Sequence, residues 1–343
     1  MNKYFAFVGT NSVRGSQGIY TVSIDAQTLR PEITSTRQMY NTGTLALSRD
    51  GKRLYAGSEG MTFQGAADGG VVGFDIGADG ALTRLGGARS HGQRTCCVAV
   101  DPVDRFVYGA NFYRGTWVKW PLDGRGAPEP ASLVVEPPEV PGAFLKALHC
   151  IAPIGERYVG VISLTEGALV IYRADDGSRV TEYVFPGRPF CRVLETCGDC
   201  IYAMMQDPGD VYVFRNHLDE DGSIELLQTI SVQRERLEHY GTTALRATPD
   251  GRLMIAATRS ANTLTVFRIL EDGRLALNDV VALPGETPRD FAISRDGMFT
   301  VTCLQKSDEI CIHRIDSARA TLADSGFRLR IPSPAAAAIT GRL

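Results

Sequence analysis

The stretch LRATPDGRLMIAATRSANTLTVFRI (245–269) holds three short apolar runs separated by two polar breaks. The first break is Pro-Asp-Gly, the residue chemistry of a tight hairpin turn, so the runs read as successive antiparallel strands. The same wording returns as LALSRDGKRLYAGS (45–58) with GGVVGFDI (69–76), as VAVDPVDRFVYGAN (98–111) with TWVKWPL (116–122), and as FAISRDGMFTVTCL (291–304) with DEICIHRI (308–315). Two diverged copies are HCIAPIGERYVGVIS (149–163) with GALVIYRA (167–174), and CRVLETCGDCIYAMM (191–205) with GDVYVFRN (209–216). Units of about 40–50 residues with several strands each are the signature of a β-propeller.

A seventh unit is divided between the chain ends. YFAFVGT (4–10) and GIYTVSID (18–25) have the character of second and third strands with no first strand before them, and SPAAAAIT (333–340) that of a first strand with nothing after it. Joining them completes a blade and leaves no free sheet edge. The chain is therefore expected to be all-β: a single domain over 1–343, built as a seven-bladed propeller of four-stranded blades. Its ring is closed by pairing the strand near 5–9 with the one near 335–339.

The chain has 343 residues, 44% hydrophobic, with 36 glycines to serve many turns and a formal net charge of −3. That charge gives no general attraction to nucleic acid. No apolar run is long enough for a membrane-spanning helix. The N-terminal run breaks at Gly9 and reads as a strand, not a secretory signal. A soluble cytoplasmic protein without nucleic-acid or membrane partners is expected. The eight cysteines fall mostly in strand patterns and read as buried free thiols. Cys197-Gly-Asp-Cys200 occupies the place of a hairpin turn, without a second pair or histidines near it in sequence. The five histidines show neither HxH nor HExxH spacing. No metal and no cofactor are expected.

A propeller presents two recurrent positions at one mouth of its central channel: the start of each innermost strand and the end of each second strand. The starts carry Cys96-Cys97, His149, Arg192, Arg246 and Arg289-Asp290. The ends carry Thr10-Asn11, Ser58-Glu59, Asn111-Phe112, Gln206, Arg259 and Gln305. Arginine stays charged and grips carboxylates or phosphates bidentately, so Arg192, Arg246, Arg259 and Arg289, with Asn111 and Gln305, are the expected binding residues for a small anionic metabolite. His149, Glu59 and Gln206 are the expected catalytic positions, with His149 the natural proton carrier near neutral pH. Without a GxSxG elbow, covalent acyl transfer is disfavoured. Water attack or internal proton transfer, with arginines facing a developing oxyanion, fits better.

TPRDFAISRDGMF (287–299), TCCVAVDPVDRFVYGANF (95–112), TPDGRLMIAATRSANTLTVF (248–267) and FVGTNSVRGSQGIYTVSID (7–25) resemble the seven-bladed lactonase family, over nearly the whole chain. That family contains 6-phosphogluconolactonases and carboxymuconate-lactonizing enzymes. The resemblance implies a site in which His149 and Arg192 match a family histidine and arginine opening consecutive inner strands, and Arg259 a second arginine. Gln206 stands where the family tends to have glutamate. Cys97, Ala147, Ala244 and Arg246 also replace residues common in relatives. Three readings stay open. One is a lactone hydrolase or lactonizing isomerase on a small carboxylate or phosphate. Another is a re-specialised isomerase or lyase on a carboxylated or aromatic-derived metabolite. The last is a non-catalytic ligand- or protein-binding propeller.

Overall fold

A computed structural model describes residues 3–59, 65, 68–141 and 146–341. It contains seven antiparallel four-stranded sheets. In chain order their strands lie within 42–89 (blade 1), 93–135 (blade 2), 148–184 (blade 3), 190–231 (blade 4), 242–282 (blade 5) and 288–330 (blade 6), with blade 7 made from 334–339 and 3–38. The closing strand Pro334–Ile339 pairs with Lys3–Thr10 as expected, with Ala6 opposite Ile339, Phe7 opposite Ala338 and Val8 opposite Ala337. Among the described residues no helix is long and apolar enough to cross a membrane.

The recurrent SRDG and TPDG motifs are explained by their turns. Ser48, Thr248 and Ser294 each donate a hydroxyl hydrogen bond to the aspartate two residues on, at 2.6, 2.6 and 2.8 Å. The glycine that follows takes positive φ, 74° at Gly51, 68° at Gly251 and 72° at Gly297, where a side chain would be strained. These turns sit between the innermost and second strands, and so at the far end of the channel from the expected site.

Burial is greatest in the second strands of the blades and least at the rim. The second strands Tyr158–Ser163, Leu253–Thr258 and Phe299–Leu304 are buried along their whole length, whereas the outer strand Pro31–Gln38 is mostly exposed. Seven apolar clusters result, one between each pair of neighbouring blades; Tyr4 of blade 7 meets Phe299 of blade 6 edge-on at 5.0 Å. Near the axis the blades are also joined by polar contacts. The backbone N–H groups of Val98, Ile151, Leu194 and Ala337 donate to Thr44 Oγ1, Cys97 Sγ, Cys150 Sγ and Asp290 Oδ2 of the preceding blade, at 3.1, 3.5, 3.4 and 3.0 Å. Two of the thiols thus serve as acceptors that satisfy buried backbone donors, a use beyond simple apolar filling.

Candidate active site at the channel mouth

Every innermost strand is irregular at its mouth end. In blade 1 Thr42 and Thr44 pair with the consecutive residues Ser58 and Gly57, so Gly43 is passed over. The same bulge leaves out Cys96, His149, Arg192, Thr243, Arg289 and Ala335 in the other six blades. A bulge turns its extra residue out of the ladder and re-aims its side chain. Here all seven extra residues are turned onto one axial cavity of about 90 Å³, whose wall they share with Thr44, Glu59, Cys97, Cys150, Val193, Arg246 and Asp290. Five innermost strands are entered through a residue with positive φ two places before the bulge: Asn41, Arg94, Gly241, Thr287 and Ser333.

Arg192 is 7% exposed, and its Nη1 donates to Gln206 Oε1 at 2.9 Å. In blade 4 the second strand bulges too, at Gln206, which brings the two side chains together. Arg192 Nε is buried without a hydrogen-bond partner. Among the described residues neither Arg192 nor Arg289 nor Arg259 has an ion-pair partner within 4.0 Å. Arg246 is different. It is clamped between Asp290 at 3.3 Å and Glu195 at 4.0 Å. Three residues beyond the bulge, blades 4 and 5 place Glu195 and Arg246 where the other five carry Ala46, Ala99, Ala152, Ala292 and Ala338. The pair occupies the ring position that is alanine in the other blades, and of the two only Arg246 lines the cavity. Burial pushes the Glu195 carboxyl up to about 7 against the pull of Arg246, and also raises Asp290.

The His149 imidazole lies edge-on between Phe112, at 6.1 Å, and Phe190, at 5.8 Å. Desolvation first, then the charges of Arg289 and Arg94, hold its pKa down to about 3. This corrects the expectation of a proton carrier poised near neutrality: in the unliganded site the ring is a neutral base. Glu59 accepts from Arg94 Nε at 3.2 Å, and the Arg94 guanidinium covers the Phe112 ring at 5.0 Å.

Of the residues expected from sequence, His149, Arg192, Arg289, Arg246 and Glu59 line the one cavity, and Gln206 touches it through Arg192. Arg259 stands beside it. Its Nε donates to Gly241 O at 2.8 Å, and its charge contributes to the depression of His149. Asn111 is not brought to the cavity. It is fully buried, accepting from Thr95 Oγ1 and donating both amide hydrogens, to Ser90 O and Thr116 Oγ1, so no donor is left for a ligand and none can reach it. Gln305 does not line the cavity either. Sequence reading passed over Arg94, Phe190 and Gly43. Their signal is positional: each lies at or within two residues of a bulge.

The family model described as "Lactonase, 7-bladed beta-propeller" matches residues 5–339. A 6-phosphogluconolactonase of Bacillus subtilis (strain 168) is 23% identical over 348 residues, covering 97% of each chain. One of Klebsiella pneumoniae (strain 342) is 28% identical over 264 residues, covering 72% of this chain and 75% of the relative. Among solved structures, the periplasmic gluconolactonase of Pseudomonas aeruginosa superposes with a TM-score of 0.88 at 20% identity, covering 98% of this chain and 99% of its own; at that identity the likeness is one of fold.

Proposed function

The chain belongs to the seven-bladed β-propeller lactonase family, and from that premise we propose that it opens or forms a lactone on a small anionic substrate at the channel mouth. One observation carries this reading. Arg192 is a guanidinium almost wholly removed from water and left without a carboxylate. An unpaired buried charge costs several kcal/mol, a cost that an anionic ligand would offset. Arg289 and Arg259, equally unpaired, extend the positive field around it.

In the opening direction water adds to the lactone carbonyl, the ring C–O bond breaks, and the released alkoxide takes up a proton. The arginines face the oxyanion that develops on the carbonyl oxygen. Neutral His149 accepts the proton of the attacking water. Burial is the larger cause of the ring's weak basicity; a bound anion offsets the cationic part of it, and to that extent the base strengthens when substrate is present. Glu59 is the second proton-exchanging group. Gln206 exchanges no proton and orients the substrate through Arg192. The lactone-forming alternative is a different step at the same site: a substrate carboxylate adds to a C=C bond of its own chain, the new C–O bond forms as the π bond breaks, and the adjacent carbon takes up a proton through one of the same two groups.

The test is turnover of 6-phosphogluconolactone, gluconolactone and a carboxylated muconolactone, followed by acid release against the spontaneous rate. We expect acceleration on an anionic lactone that falls about 10²–10⁴-fold in His149→Asn. Absence of both turnover and anion binding would exclude the reading.

A further inference from the structure

The bulge ring reads Gly43, Cys96, His149, Arg192, Thr243, Arg289 and Ala335, and only one of its members lacks a side chain altogether. Gly43 is not among the residues with positive φ, so the backbone there does not require glycine. What requires it is space. A Cβ built on Gly43 would stand 2.0 Å from Glu59 Oε1, 2.4 Å from its Cδ and 2.8 Å from its Cγ, all closer than the 3.0 Å that real Cβ contacts observe. The end of the Glu59 side chain rests on the bare Cα of the neighbouring strand.

We propose that Gly43 is a positioning residue: its missing side chain is the seat that lets Glu59 lie inside the cavity as the site's second proton-exchanging carboxylate. This role for Glu59 rests on the lactonase reading above; its seating on Gly43 does not. The geometry around the seat is consistent. Arg94, entering its own strand at φ 59°, reaches across and holds Glu59 Oε2, while its guanidinium is steadied on the Phe112 ring. Glu59 Oε1, the oxygen over Gly43, has no hydrogen-bond partner among the described residues and is left for a ligand. The Glu59 side chain is only 9% exposed, so it is turned inward and not out to solvent. Any side chain at position 43 would displace the carboxylate from the cavity without removing it from the protein.

The experiment uses inorganic phosphate as probe and a two-by-two set: wild type, Gly43→Ala, Glu59→Gln and the double variant. A negative charge inside an anion site opposes phosphate, so Glu59→Gln is expected to tighten phosphate binding about tenfold, the scale of one charge at about 10 Å in a half-buried site. Gly43→Ala is expected to tighten it in the same direction, and to add nothing once Glu59 is already Gln. If Gly43→Ala changes phosphate affinity equally in both backgrounds, or not at all, the proposal is wrong. Should Gly43→Ala prove insoluble, Gly43→Ala with Glu59→Ala decides: recovery of soluble protein identifies Glu59 as the group displaced, and continued insolubility overturns the idea. On a lactone substrate, Gly43→Ala should lower kcat toward the Glu59→Gln value without raising KM. If no lactone is turned over, the phosphate arm still decides the positioning role, and only the lactonase reading falls.

Discussion

Arg192→Met keeps most of the side chain's length and removes its charge, which makes opposite demands on binding and on stability. The guanidinium is 7% exposed, its Nε has no partner, and its one side-chain hydrogen bond is to neutral Gln206. If the missing partner is a ligand anion, the variant loses one side of a desolvated charge pair, about 2–4 kcal/mol, or roughly 30- to 1000-fold in affinity. The unliganded protein should gain. Relief of the buried charge returns several kcal/mol, against about 1 kcal/mol for the bond lost at Gln206. Isothermal titration with phosphate and with citrate measures the first quantity, and thermal unfolding without ligand the second. Weaker anion binding with an unchanged or higher melting temperature is expected. A lower melting temperature with intact affinity would show that Arg192 braces blade 4 and that the anion site is elsewhere.

Arg289→Gln should raise the His149 pKa above its depressed value of about 3, because one of the charges opposing the imidazolium is gone; an imidazole NMR titration that does not move would contradict this. Glu195 binds its proton more tightly folded, at about 7, than unfolded, at about 4.3, so it draws stability down as pH rises through that window, by on the order of 3 kcal/mol. Glu195→Gln should flatten the fall between those limits in urea titrations, and an unaltered slope would rule the account out. Deleting residues 334–343 removes the closing strand and exposes the edges it covers, so soluble yield should collapse; a cooperative, soluble truncation would disprove that closure is needed.

The fold was legible because each blade repeats a turn whose chemistry is local. Ser or Thr bonded to Asp, followed by a glycine at positive φ, needs nothing from the rest of the molecule to be recognised. The split blade was legible for a related reason, since alanine-rich 335–339 has no partner of its own and the N-terminal strands lack one. The site was legible only where it is charged. His149, Arg192 and Arg289 stand out after apolar runs, whereas Gly43, Cys96, Thr243 and Ala335 occupy the same bulge position in silence. Asn111 misled because a polar strand end does not reveal that Thr95, Ser90 and Thr116 already satisfy it. His149 misled in degree, because its basicity is lowered first by burial and then by Arg289 of blade 6 and Arg94 of blade 2, remote in sequence. Arg94 went unnoticed because it lies at the start of its strand ahead of the bulge, where a left-handed backbone decides which way its side chain goes.

The bulge ring also separates what this protein can vary from what it must keep. Seven residues, one from each blade, face a common point, yet none of them is a rung of the ladders that hold the blades together. Exchanging any one alters the reagent offered at a fixed compass bearing and leaves the sheets paired. The mouth is therefore a dial with seven settings, here Gly, Cys, His, Arg, Thr, Arg and Ala. Retuning it toward another substrate is a matter of resetting single letters in place, except where a neighbour outside the ring leans on one of them, as Glu59 does on Gly43, and the two have to change together.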